Sequence, residues 1–317
     1  MNIEIAIIGL ISAFTVSPLF GQTATGGSGI ILRVDCNHES EYALPSINAA
    51  IKKLNPAVTS TVIVSGTCNE NILLQSFDRL TLITTTGATI NDASSGQSPV
   101  VHIEDSRRVN LEGFTIRGGA DGVLCNTASV CSLTGNTVEG STGQEGVGAF
   151  AGSKVFLYGN TIQNNSQRAL TVANNSRVGS EYDTFRGNRD TGVVALSASS
   201  FITIGSIIQN NGSDGIVVTD HSTARLISVT ISGNAGNGVT LENAAEARFE
   251  TFGGAMTVTA NGGSGVSVRD LSFGFFSAST SITGNLGGID VVCAPQFSAT
   301  RGALTNIGGG KTNCVEP

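Results

Sequence analysis

Two aspartates and a histidine lie within eight positions of the stretch IIQNNGSDGIVVTDHST, residues 207–223. Asp214, Asp220 and His221 could transfer protons, because carboxylates and imidazoles commonly serve as general acids and bases. The stretch also holds glycine and asparagine where a chain usually turns. These residues could form a catalytic loop, or they could belong to one unit of a repeated structure.

A second polar group occupies matching positions in three successive segments of the chain: Thr219, Asp220, Glu242, Arg269 and Asp270. Carboxylates and a guanidinium on one face could bind a sugar through directed hydrogen bonds, or assist proton abstraction beside a uronate. The same residues could equally form an ordinary solvated surface. The sequence leaves both interpretations open, with no catalytic residue assigned.

The chain repeats with a period of about 23 residues, which favours the repeat over the loop. An apolar residue after a glycine-containing turn begins nine segments, at spacings of 23, 24, 23, 23, 23, 23, 27 and 23. Residues 216 and 218 are apolar whereas 217 and 219 face the other way, as in a strand. The nine starts are Val100, Val123, Val147, Leu170, Val193, Ile216, Val239, Val266 and Ile289.

Two columns of polar residues follow the same period. Stacked coils place equivalent side chains ~4.8 Å apart, so that identical amides and hydroxyls can hydrogen-bond along the stack. A single coil cannot bury its apolar face alone, and its neighbours must cover it. The sequence therefore predicts an all-β parallel β-helix, or solenoid. The predicted ladder residues are Asn165, Asn188, Asn211, Asn234 and Asn261, with Ser106, Ser129, Ser153, Ser176, Ser199, Ser222 and Ser272 in the second column.

The two ends of the stack need covers, because open sheet edges invite aggregation. LPSINAAIKKLNP (44–56) predicts a short capping helix over 44–54, with Ser46 as N-cap and Pro56 as a stop. We expect one domain over 30–317, with regular coils over 100–290 and a C-terminal cap over 291–317.

The N-terminus resembles a secretory leader over residues 1–21, too short and interrupted to favour a membrane span. We therefore expect a secreted, extracellular or cell-surface protein with no membrane span after leader cleavage. The net charge of -7 removes the attraction to phosphate on which nucleic-acid binders rely. No nucleic-acid partner is expected, and the sequence does not define an oligomeric state.

Six cysteines in an exported chain predict disulfides, although six thiols allow 15 connectivities. Pairing in sequence order is the simplest of these: Cys36 with Cys68, Cys125 with Cys131, and Cys293 with Cys314. No pair is CxxC and no histidine lies at zinc spacing. We expect no metal site and no cofactor.

SINAAIKKL, TVIVSGTCNENILLQ and LTLITTTGATI resemble the capping helix and first coils of right-handed parallel β-helix proteins of the pectin lyase-like superfamily. GNTIQNN and IIQNNGSDGIVV resemble its generic repeats. The resemblance implies a right-handed parallel β-helix over residues 30–290. Lyases, esterases, hydrolases, epimerases and adhesins share this fold, so it does not define an activity.

The catalytic motifs of the polygalacturonases, mannuronan epimerases and pectate lyases are absent from the sequence. Our leading expectation is a non-catalytic role in polysaccharide binding or scaffolding. The alternative is a divergent polysaccharide lyase or related carbohydrate-active enzyme. By its position in the repeat, Asp220 is expected to be a turn residue, and His102 an inward, partnered imidazole.

Overall fold

The structure, a computed structural model, describes residues 29–277, 279–294, 299–301 and 307–314. The predicted leader lies outside the described residues. Each coil holds three short strands, and equivalent strands of successive coils pair in parallel to form three sheets. The predicted all-β parallel solenoid with coils about 23 residues apart is confirmed.

The described residues contain one α-helix, α1 (Ile47–Ile51), and 32 strands. The strands are β1 (Ile30–Asp35), β2 (Ser60–Ser65), β3 (Thr67–Asn69), β4 (Ile72–Gln75), β5 (Asp78–Ile83), β6 (Thr89–Asn91), β7 (Val101–Glu104), β8 (Arg107–Glu112), β9 (Thr115–Arg117), β10 (Val123–Asn126), β11 (Val130–Thr134), β12 (Thr137–Glu139), β13 (Glu145–Ala149), β14 (Lys154–Tyr158), β15 (Thr161–Gln163), β16 (Arg168–Val172), β17 (Arg177–Glu181), β18 (Thr184–Arg186), β19 (Val193–Ala195), β20 (Ser200–Ile204), β21 (Ile207–Gln209), β22 (Ile216–Val218), β23 (Thr223–Ile227), β24 (Thr230–Ser232), β25 (Val239–Leu241), β26 (Glu246–Glu250), β27 (Met256–Thr259), β28 (Val266–Val268), β29 (Phe273–Phe276), β30 (Thr280–Thr283), β31 (Val291–Cys293) and β32 (Ala299–Arg301).

The three sheets follow the order of the coils. Sheet A has 12 strands in the order β1-β2-β5-β8-β11-β14-β17-β20-β23-β26-β29-β32. Sheet B has 10 strands in the order β3-β6-β9-β12-β15-β18-β21-β24-β27-β30. Sheet C also has 10, in the order β4-β7-β10-β13-β16-β19-β22-β25-β28-β31.

The core fills the space between the three sheets. In β22, Ile216 and Val218 are buried and Val217 faces outward, as the alternation predicted. Phe114, Phe185, Phe201 and Phe249 are among the largest fully buried side chains. Because every coil buries its apolar residues against the coils on either side, the rigid stack fixes the positions of outward side chains.

The register differs from the predicted one at both ends of the repeat. Val123 pairs with Val101, and Val266 pairs with Val291. The predicted starts, Val100 and Ile289, were therefore wrong. Val100 and Val101 are adjacent valines that are both buried, so periodicity could not choose between them.

Helix α1 is shorter than the predicted 44–54. Leu44 forms a parallel bridge with Val34, which keeps the chain extended before the helix. The Ser46 hydroxyl accepts a hydrogen bond from the Ala49 N–H at 3.1 Å, as predicted for an N-cap. The Glu70 carboxylate accepts two further N–H groups of the first turn, at 2.7 and 2.9 Å.

The stack continues beyond residue 290. β31 pairs with β28 and β32 pairs with β29, so part of the predicted C-terminal cap of 291–317 belongs to the regular coils. Thr312 then forms a parallel bridge with Val291, which covers part of the last edge of sheet C.

The predicted asparagine ladder is confirmed. Asn211 Oδ1 accepts hydrogen bonds from the backbone N–H of Asn188 at 3.1 Å and from its Nδ2 at 2.9 Å. The same pair of bonds links Asn165, Asn188, Asn211, Asn234 and Asn261 in turn. The ladder extends to Asn285, whose own N–H and Nδ2 donate to Asp290.

The serine column is also a ladder, in which each hydroxyl accepts the backbone N–H of the previous serine. These bonds run from Ser106 through Ser129, Ser153, Ser176 and Ser199 to Ser222. A third ladder, which was not predicted from the sequence, lies between sheets A and B and is formed by Asn136, Asn160 and Asp183. Its signal is the spacing of 24 and 23 residues.

The disulfides pair in sequence order: Cys36–Cys68, Cys125–Cys131 and Cys293–Cys314. The first and last lie towards the two ends of the stack, and the middle one joins strands β10 and β11 of one coil. The simplest connectivity is therefore confirmed.

Candidate functional site

The five residues predicted to contact a sugar lie at the turns from sheet C to sheet A on three consecutive coils. Thr219, Glu242 and Arg269 each follow a strand of sheet C, and their backbone N–H groups donate to carbonyls one coil earlier. Asp220 and Asp270 come next, in the left-handed region with φ of 52° and 53°. The structure thus brings the five residues together as a column.

The guanidinium of Arg269 is already paired within this column. Its Nε donates to Glu242 Oε2 at 2.9 Å and its Nη2 donates to the same oxygen. Nε also lies 3.9 Å from Asp270 Oδ2. Since the ion pair is solvent-exposed, it contributes little to stability. A glycan carboxylate would have to replace part of this pairing.

Asp220 is held by side chains of its own turn and the next. The Thr219 hydroxyl, which is buried, donates to Asp220 Oδ1 at 3.3 Å. Asn243 Nδ2 donates to Thr219 Oγ1 at 3.2 Å and to Asp220 Oδ1 at 3.1 Å. Asp220 therefore lies in a turn as predicted, and these side-chain contacts join two coils.

Asp214 and His221 lie at opposite ends of β22. Residues 207–223 therefore belong to one coil of the solenoid and do not form a single loop. Asp214 Oδ1 accepts the Asn237 N–H at 2.7 Å, and Asp214 Oδ2 accepts the Thr240 hydroxyl at 2.5 Å. His221 is exposed with φ of 61°. Asp214 therefore holds the equivalent turn of the next coil, which precedes β25.

A second group of ionisable residues, which was not predicted from the sequence, lies at the other margin of sheet C. We define the Glu145 cluster as Asp121, Glu145, Arg168 and Asp190. Glu145 and Arg168 are direct neighbours on β13 and β16, with Arg168 Nη1 3.9 Å from Glu145 Oε1. The Glu145 N–H donates to Asp121 Oδ1 at 3.2 Å. Arg168 Nε lies 3.8 Å from Asp190 Oδ2.

The electrostatics of this cluster are unusual for a surface. Burial, reinforced by the neighbouring Asp121 carboxyl, raises the pKa of Glu145 to about 7, although Arg168 acts in the opposite direction. Arg168 Nε is itself buried and makes no hydrogen bond among the described residues. A carboxyl group with a pKa near neutrality can either take or give a proton.

A periodic signal could have revealed the cluster. Asp121, Glu145 and Arg168 each stand two residues before a predicted segment start, at spacings of 24 and 23.

His102 faces outward, and the predicted inward position was wrong. It pairs with Leu73 and Leu124 on the outer face of sheet C, because the start of this coil is Val101 and a shift of one residue reverses the side-chain direction. Its Nε2 is buried and makes no hydrogen bond among the described residues. The prediction that the imidazole has a hydrogen-bond partner is therefore also wrong for Nε2.

Known proteins share this architecture. The family model described as "Right handed beta helix region" matches residues 99–252. The chain has a right-handed parallel β-helix fold. Curated protein sequences yield no significant match to it.

Solved structures agree with the chain over most of its length. Pectate lyase Pel9A is 11% identical with a TM-score of 0.57, covering 91% of this chain and 79% of its own. The A-module of mannuronan C-5 epimerase AlgE6 from Azotobacter vinelandii is 14% identical with a TM-score of 0.57, covering 84% and 92%. The periplasmic alginate epimerase AlgG is 12% identical with a TM-score of 0.53, covering 85% and 83%. At such identities the similarity shows a common fold.

None of the helices in the described part of the chain is both long and apolar enough to cross a membrane.

Proposed function

We propose that this protein is exported and binds an extracellular polysaccharide along the outward face of sheet C. The observation that carries the proposal is the placement of ionisable side chains at both margins of that face. The Glu145 cluster lies at the beginning of the strands of sheet C, and the column of Glu242 and Arg269 lies after their ends. Parallel strands space these groups ~4.8 Å apart, which presents donors and acceptors along an extended chain.

Two further observations support the proposal. Buried, unbonded nitrogen atoms at Arg168 and His102 are expected to gain partners when a polar ligand binds. The fold is shared with a pectate lyase and alginate epimerases. Export is supported by three disulfides, which persist in oxidising compartments. N-terminal sequencing of protein recovered from the culture medium tests the leader cleavage near residue 21.

Binding is tested by calorimetry with pectate, alginate and neutral glucans. The variants Arg168→Ala, Glu242→Ala and Arg269→Ala should each weaken binding to the same glycan. Arg117→Ala is the matched control, because Arg117 is also exposed and paired with a carboxylate, Glu139, but lies on sheet B. Unchanged affinity in all three variants would place the binding site elsewhere.

A second candidate function, favoured by the raised pKa of Glu145, is catalysis on a uronate-containing polysaccharide. Glu145 would accept the C5 proton next to the uronate carboxyl group, while Arg168 offsets the negative charge of that group. The C4–O glycosidic bond would break as the C4=C5 double bond forms, and the released sugar oxygen would take a proton from water. Incubation with pectate, alginate and glycosaminoglycans should then generate the ultraviolet absorbance of an unsaturated uronate, and Glu145→Gln should abolish it. Binding without any product would leave the non-catalytic function alone.

A further inference from the structure

A group of exposed aromatic and basic side chains lies on the outward face of sheet A, away from sheet C. We define the Phe156 surface as Lys154, Phe156, Tyr158, Arg177 and Tyr182. These residues come from the consecutive strands β14 and β17 and the turn after β17. Phe156, Tyr158 and Tyr182 are 51%, 50% and 61% exposed. Exposed aromatic groups gathered on adjacent strands indicate a contact surface.

A single glycine, Gly179, determines the shape of this surface. Gly179 pairs with Phe156 on one side and with Ile202 on the other, so two large apolar side chains flank a position without one. A Cβ at residue 179 would meet only Phe156 Cδ1, at 3.7 Å. Packing in the free protein therefore does not require glycine there, and the glycine leaves a shallow notch beside the phenyl ring.

Tyr182 has a left-handed backbone conformation, which residues other than glycine rarely adopt. Its φ is 56°, and the equivalent turn positions in adjacent coils are Gly159 and Gly205, with φ of 64° and 63°. A non-glycine residue in this region is strained, and Ser228 holds the equivalent position one coil after Gly205 with φ of 53°. The Tyr182 ring covers Gly205 and meets the Tyr158 ring edge-on at a centroid distance of 5.9 Å.

The charge beside Phe156 is positive, whereas Glu181, which pairs with Tyr158 on the same outward face, places one carboxylate at the other end of the surface. Lys154 and Arg177 are directly paired neighbours on β14 and β17, an arrangement in which like charges repel. Neither side chain forms an ion pair with any described residue, whereas Arg225 and Arg248 farther along sheet A are paired with Glu250 and Glu246. A bound anion would relieve the repulsion.

We infer that the Phe156 surface binds an acidic polysaccharide. A pyranose ring presents an apolar C–H face that fits the exposed Phe156 ring above the notch, and a carboxylate on the same chain reaches Lys154 and Arg177. Lysine is depleted in protein–protein interfaces, which favours a glycan over a protein partner. This inference does not depend on the function proposed for sheet C, because the two surfaces lie on different sheets.

The test uses polygalacturonate and alginate as probes, with neutral hydroxyethyl cellulose as the control glycan, and affinity measured by calorimetry at two salt concentrations. Phe156→Ala and the double variant Lys154→Gln/Arg177→Gln should each weaken binding about tenfold or more, a clear change in free energy. The double variant should also lose most of the salt dependence.

The variant Tyr182→Gly distinguishes a loss of binding from a loss of folding. Glycine is the residue of the neighbouring coils at this position, so this variant should fold with an unchanged or raised melting temperature while binding the acidic glycans more weakly. Equal affinity of Tyr182→Gly, Phe156→Ala and wild type would overturn the inference, as would absence of binding to both acidic glycans or equally tight binding of the neutral one. If only the sheet C variants lose affinity, the proposed function stands and this inference fails. If only the variants of the Phe156 surface lose affinity, this inference stands and the proposed function fails.

Discussion

Asn160 donates two hydrogen bonds to a single buried oxygen, Oδ1 of Asp183: one from its backbone N–H at 2.6 Å and one from its Nδ2 at 2.9 Å. Asp183 thus takes the place of an asparagine in the third ladder. Its other oxygen accepts the Ser180 hydroxyl at 2.7 Å. Burial raises the pKa of Asp183 to about 6, against the lowering effect of these hydrogen bonds.

This relationship predicts a pH-dependent stability. The folded-state pKa exceeds the unfolded value of about 3.9, so the folded protein holds the proton more tightly. The stabilisation is fully present below pH ~4 and is lost as the pH rises through about 6, by up to about 3 kcal/mol. Asp183→Asn keeps the acceptor without the charge, so its free energy of unfolding relative to wild type should increase between pH 4 and 7. A constant difference from denaturant titrations across this range would contradict the raised pKa.

Asn211→Ala should destabilise the protein by about 1–3 kcal/mol, because the buried backbone N–H of Asn188 loses its acceptor and Asn188 Nδ2 loses its shortest hydrogen bond. Chemical denaturation measures the loss. Gln167→Ala removes an exposed amide side chain two coils earlier and serves as the control. If the two variants are equally stable, the ladder contributes nothing.

The surroundings of Glu145 predict a titration midpoint that depends on Arg168. In protein labelled with carbon-13 at the glutamate carboxyl groups, the Glu145 resonance should titrate with a midpoint near 7. Arg168→Ala should move the midpoint upward, because the removed guanidinium favours the ionised carboxylate. Arg117→Ala should leave it unchanged. A Glu145 midpoint in the ordinary range for glutamate would rule out its role in proton transfer near neutral pH.

The disulfides should contribute unequally. Cys36–Cys68 spans 32 positions and Cys125–Cys131 only 6. Loop-closure entropy then gives about 4 kcal/mol for the first and about 2 kcal/mol for the second. Paired Cys→Ser replacements, compared by denaturant titration, measure both. A larger loss for the Cys125–Cys131 pair would show that chain entropy is not the dominant contribution.

Periodicity was sufficient to predict the architecture, because a 23-residue coil must place equivalent residues above one another. The predictions of the Asn211 ladder, the Ser153 ladder and the column of Glu242 and Arg269 depended on that spacing alone. The N-cap at Ser46 followed from local chemistry.

Other features depend on information that periodicity does not carry. The adjacent Val100 and Val101 fit the pattern equally well, and the error reversed the direction of His102. Burial of Glu145 and the notch at Gly179 depend on how outward side chains cover one another. The sequence alone contains no measure of that coverage.

The most direct test of the central claim is calorimetric titration of one bound glycan with wild type, Arg168→Ala, Glu242→Ala and Arg269→Ala. Binding along the outward face of sheet C predicts that variants at both margins lose affinity while Arg117→Ala does not. If wild type binds the glycan and all three sheet C variants bind it equally well, the face is not the site. If wild type binds none of the glycans, polysaccharide recognition is excluded for the set tested and the solenoid is left as a scaffold.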